Sequence, residues 1–125
     1  LKIENLINAT GRSVYIEDEK MIDAVTALSG SGPAYFYYVV KQMVEAGKQM
    51  GFEESLAKQF VKQTMLGAYH LINNAEQSLD DLIKQVASKG GTTEAALSTF
   101  EDMNVADGII TGILNAEKRA GELSK

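Results

Sequence analysis

Val86-Ala87-Ser88-Lys89-Gly90-Gly91-Thr92-Thr93-Glu94-Ala95-Ala96-Leu97 couples the end of one apolar run to the start of a second run with helical spacing. The coupling is two glycines followed by two threonines. Gly90-Gly91 lets the backbone take positive φ and lets a ligand approach without meeting a Cβ. Thr92 and Thr93 stand where a helix begins, at N–H groups that have no intrahelical acceptor. Those donors, the positive end of the helix dipole and two hydroxyls suit a small anion, and a carboxylate and a phosphate fit equally well. The same residues also spell a glycine C-cap followed by a threonine N-cap, a loop that binds nothing.

On either side of this join the pattern is helical. Ser78-Leu79-Asp80-Asp81 reads as a capping box, followed by apolar Leu82, Ile83 and Val86. Before it, a long helix is expected from about residue 53 to 74. Its rows are Leu56, Phe60, Gly67, Leu71 and Ala57, Val61, Met65, Ala68, Ile72, with Lys58, Gln59, Lys62 and Gln63 on the wet side. Residues 33 to 50 form a helix that is apolar on more than one side. Phe36, Val40, Met43, Gly47 and Met50 make one line and Tyr35, Val39 and Ala46 another, and Gly51 ends it. Downstream, two helices are expected at about 92 to 103 and 105 to 123, the last with Ile109, Ile110, Ile113, Leu114, Ala120 and Leu123 in register.

Near the start, Asp18-Glu19 opens a helix whose expected buried face is Met21, Ile22, Val25 and Leu28. Ser29-Gly30-Ser31-Gly32-Pro33 interrupts it, and the sole proline suits the first turn of the next helix. Residues 1 to 8 read as a helix end and Ser13-Val14-Tyr15-Ile16 as a short strand with no partner downstream. A strand without a sheet points to a sheet upstream, and a first residue that is Leu rather than Met points to a cut or processed chain.

At 125 residues the chain has the size of one domain. No apolar run approaches membrane-spanning length, no signal peptide is visible, and a cytoplasmic location is expected. With no cysteine and one histidine there is no disulfide and no basis for a metal site. A net charge of −5, with acids and bases mixed along the helices, argues against a nucleic-acid partner. His70 reads as a polar-face or dimer-packing residue, Tyr35, Tyr37 and Tyr38 as core and interface residues, and Glu117-Lys118-Arg119 as a solvated face. More apolar faces are present than a small monomer needs, so a homodimer, or a higher oligomer built from it, is expected.

Two glycine-bearing junctions, Thr26-Ala27-Leu28-Ser29-Gly30-Ser31-Gly32-Pro33-Ala34-Tyr35 and Ser88-Lys89-Gly90-Gly91-Thr92-Thr93, occur in this order with two long helices between them. Together they resemble the C-terminal, dimerising and substrate-binding domain of pyrroline-5-carboxylate reductase, and the likeness runs from about Ile3 to Lys125. The resemblance implies an all-α helical dimerisation domain of the 6-phosphogluconate-dehydrogenase-C-terminal-like type, covering residues 18–125. Residues 1–17 would then be the helix and strand tail of a missing Rossmann nucleotide-binding domain. It also implies NADPH- or NADH-dependent reduction of 1-pyrroline-5-carboxylate to proline. The cofactor would sit mainly on that other domain, since no G-x-G-x-x-G fingerprint follows a strand here, and this chain alone would not turn over.

Carried over position by position, the loop Ser88, Gly90, Gly91, Thr92 and Thr93 would hold the substrate carboxylate, with Val86 lining the pocket. Glu76 and Thr26 match polar positions at the reacting ring, as candidate catalytic residues. Two departures stand out. Lys89 replaces a proline found in many members, which loosens the loop but adds positive charge. Glu94 lies in the first turn of the anion-facing helix and is expected to face water. Two other readings stay open: a non-catalytic helical dimerisation module, and the helical half of a related imine or β-hydroxyacid reductase.

Overall fold

The computed structural model describes residues 19–88 and 91–124, with backbone alone for Glu19 and Lys20. The expected helix at 1–8 and strand at 13–16 lie outside the described residues, as do Lys89 and Gly90. Six α-helices and one π-helical turn follow in order. They are α1 (Glu19–Val25), the π turn (Thr26–Gly30), α2 (Gly32–Gln49), α3 (Glu54–Asn74), α4 (Leu79–Ala87), α5 (Gly91–Asp102) and α6 (Val105–Leu123). There is no strand among the described residues, and the all-α class read from the sequence is what is observed. The chain forms two compact units, one of residues 1–37 with 104–125 and one of residues 38–103.

In the second unit the core is small. Val44, Ala57 and Val61 are buried, with Val40 packed against them. α2 and α3 meet at Gly47, where an added Cβ would stand 2.9 Å from the Ala57 Cβ. Only glycine permits that approach without displacing a helix. α2 then ends in a paired-bond glycine cap: the Phe52 N–H donates to Gly47 O at 3.1 Å and the Gly51 N–H to Lys48 O at 3.0 Å, with Gly51 at φ 108°. Phe52 meets Phe60 edge-on, with centroids 5.4 Å apart.

The predicted apolar lines are only partly used. Phe36, Met43 and Met50 are exposed, whereas Val44, absent from both predicted lines of α2, is buried. A single crossing at Gly47 uses one narrow stripe of a helix that is apolar nearly all round. On α3 only Ala57 and Val61 of their row are buried; Met65, Ala68 and Ile72 of the same row are exposed, as are Leu56, Phe60 and Leu71 of the other. α4 starts as the capping box requires, Ser78 Oγ accepting from the Asp81 N–H at 3.1 Å, and it packs on α5.

In the first unit α6 packs on α1 and on the π turn. The expected buried face Met21–Ile22–Val25–Leu28 fails at both ends: Met21 is 51% and Leu28 66% exposed, while Ala27 is 1% exposed. At the Leu28 end the shift is local. The π turn supplies the reason. Its Ser31 N–H reaches back five residues to Thr26 O at 2.9 Å, so each turn holds an extra residue and the inward face is rotated by about one position. α2 begins at Gly32 with Pro33 in its first turn, where a missing N–H costs nothing.

Candidate functional site

Ser88, Gly91, Thr92 and Thr93 gather at the α4–α5 junction. Ser88 caps the end of α4, its N–H donating to Lys84 O at 2.8 Å. Its hydroxyl donates to Gln85 O at 3.2 Å, so toward a carboxylate it presents lone pairs unless that bond is exchanged. α5 begins at Gly91, which places Thr92 and Thr93 inside its first turn rather than at a threonine N-cap. The N–H groups of residues 91 to 93 therefore belong to the first turn, which helix geometry leaves without intrahelical acceptors. Gly91 and Thr92 are exposed and Thr93 is half-buried. Among the described residues nothing lies within 4 Å of a Cβ placed on Gly91, so on their side the backbone is open to approach. Glu94 is exposed, as expected, so water screens its charge. Val86, on the last turn of α4, is also exposed.

The other two candidates belong to other segments of the chain. Glu76 is exposed in the segment that precedes Ser78. It lies off the N-terminal end of α4, whose 9 residues span about 14 Å, while Ser88 is at the C-terminal end. Thr26 belongs to the first unit, at the start of the π turn, and its Oγ1 donates to Ile22 O at 2.9 Å. Sequence reading missed one feature here. Tyr35, taken as core, donates its hydroxyl to the Ala27 carbonyl. The signal was present in the spacing: a long side chain in the first turn of a helix leans back toward the preceding turn, and Tyr35 is the fourth residue of α2.

Among known proteins, the family described as pyrroline-5-carboxylate reductase dimerisation matches residues 19–123. The chain belongs to that family. Within it, a pyrroline-5-carboxylate reductase of Pseudomonas aeruginosa is 39% identical over 121 residues, covering 96% of this chain and 44% of the relative. One of Haemophilus influenzae is 43% identical over 99 residues, covering 78% of this chain and 36% of the relative. Among solved structures, a pyrroline-5-carboxylate reductase from Coxiella burnetii superposes with a TM-score of 0.86 at 38% identity, covering 98% of this chain and 45% of that one. A Plasmodium falciparum pyrroline carboxylate reductase with NADP bound gives 0.83 at 28% identity, covering 87% and 42%. The chain thus spans less than half the length of these pyrroline-5-carboxylate reductases. No described helix is long and apolar enough to cross a membrane.

Proposed function

We propose that the chain is the substrate-binding and dimerising part of an enzyme that reduces 1-pyrroline-5-carboxylate to proline with NADPH or NADH. The observation that carries this reading is the open first turn of α5, with a glycine at its head and Thr93 half-buried behind it, in a chain of this family. In it, residues 18–125 are the helical domain and residues 1–17 the tail of a nucleotide-binding domain. No glycine-rich phosphate cradle for a dinucleotide occurs in the sequence, so these residues do not fit the cofactor and its binding falls to that other domain. A reduced nicotinamide supplies the hydride.

The chain's own residues bind and orient. N–H groups at 91 to 93 and the Thr93 hydroxyl grip the carboxylate, which fixes the face of the ring that is offered to reduction. Val86 shields one side. Glu76 and Thr26 are carried from the family likeness as candidate catalytic residues, Glu76 as a charge that would balance the iminium and Thr26 as a polar group for the ring. Exposed Phe36, Met43, Phe60, Leu66 and Ile110 are covered by a second copy of the chain, and the location is cytoplasmic, in keeping with the absence of cysteine.

The test is a chimera in which residues 19–123 replace the matching segment of the Pseudomonas aeruginosa relative, assayed for imine-dependent NAD(P)H oxidation. Thr93→Ala should lower kcat/KM about 10- to 100-fold with folding unchanged, as loss of a hydrogen bond to a charged group of about 1.5–3 kcal/mol implies. An unaltered rate would remove Thr93 from the site.

A further inference from the structure

Thr26 and Thr99 make the same local bond. Thr99 Oγ1 donates to Ala95 O at 2.9 Å on the exposed side of α5, so a threonine bonding back one turn marks no function by itself. Thr26 differs in its backbone. It opens a π turn, a feature that recurs at functional sites because it re-aims one side chain at the cost of regular pairing. The Ser31 N–H, which in an α-helix would donate to Ala27 O, goes instead to Thr26 O. The Ala27 carbonyl thereby loses its usual donor, on a residue only 1% exposed that leaves water little access. The Tyr35 hydroxyl is the donor it finds.

We infer that Tyr35 is a positioning residue: by donating to Ala27 O it holds the π turn, and with it a Thr26 hydroxyl whose proton is committed to Ile22 O. Held this way, Thr26 offers only lone pairs to anything that approaches. It accepts from an N–H and has no ready donor for an ether or carbonyl oxygen. The inference rests on the proposed reduction of a cyclic imine, since the protonated ring nitrogen is the N–H it would accept from. All five groups involved, on Ile22, Thr26, Ala27, Ser31 and Tyr35, lie within one unit of the fold.

A double-mutant cycle on the same chimera tests it. Tyr35→Phe should lower kcat about tenfold and leave KM for the imine within twofold, because the carboxylate grip is elsewhere. Thr26→Val should lower kcat similarly, and the double variant should be no slower than Thr26→Val alone. A role confined to packing would instead give losses that multiply, and that result, or an unaltered Tyr35→Phe, overturns the inference. Amide hydrogen exchange on the unfused chain reads the clamp without catalysis: Tyr35→Phe should speed exchange at Ser31, whose N–H closes the turn. Should Thr26→Val leave the rate untouched while Ser31 exchange still rises in Tyr35→Phe, the clamp stands and the placement of Thr26 at the substrate falls. Unchanged exchange removes the clamp itself.

Discussion

The two glycine-bearing junctions contain nearly the same residue types and are built in opposite ways. At residues 26–35 the polar groups are turned inward on one another. Thr26 donates to Ile22 O, Ser31 to Thr26 O and Tyr35 to Ala27 O, around an alanine with almost no exposed surface. At the second junction Ser88, Gly91 and Thr92 are exposed, and the first-turn amides of α5 have no acceptor within their own helix. Serine, threonine and glycine can thus complete a structure or hold it open for a guest. Neighbouring buried carbonyls decide which, and those come from the path of the chain rather than from the motif.

The contrast can be broken most forcefully at Ala27. Ala27→Leu forces a larger side chain into a filled space and should destabilise the chain by about 1–3 kcal/mol, read as a lowered denaturation midpoint. An unchanged midpoint would mean that the junction has room the packing of Ala27 denies. Gly91→Ala should do the reverse. The added methyl meets none of the described residues, so stability should hold or rise by up to about 1 kcal/mol. Proline affinity measured by calorimetry should nevertheless fall roughly tenfold, about 1.4 kcal/mol, if a carboxylate sits against that backbone.

Ser78→Ala removes the cap of α4 and should cost about 1 kcal/mol. Because α4 packs on α5, amide exchange in the first turn of α5 should quicken while that at Ser31 does not. Smallest of all, Lys48→Ala should change stability by less than about 0.5 kcal/mol. Its pairs with Glu45 at 3.6 Å and Glu54 at 3.9 Å are exposed and belong to neither junction.

Helix placement was legible in the residues because apolar spacing, the Ser78 cap and the Gly51 stop are local signals. The ends of α2, α3 and α4 and the reach of α6 follow from them. Two things were not legible. The π turn brings the Ser31 N–H back to Thr26 O and the Tyr35 hydroxyl back to Ala27 O, and no periodicity template contains those pairings; reading Leu28 as buried was its direct result. Likewise Val44 was overlooked on α2 because the helix offers several apolar stripes, and only the partner glycine contact at Ala57 selects among them. At the candidate site the anion-binding character of residues 91 to 93 could be read from Gly-Thr-Thr at a helix start. That the Ser88 proton is already engaged by Gln85 O could not, since it depends on how tightly α4 closes.

The thinness of the interior has a further effect. Val44, Ala57 and Val61 are a modest anchor for helices of 18 and 21 residues, and in the proposed two-copy assembly the remaining cohesion comes from the other molecule. Dilution would then act on this protein as urea acts on others. Each tenfold drop in concentration removes about 1.4 kcal/mol from a pair of chains, so the melting temperature becomes a function of how much protein is in the tube.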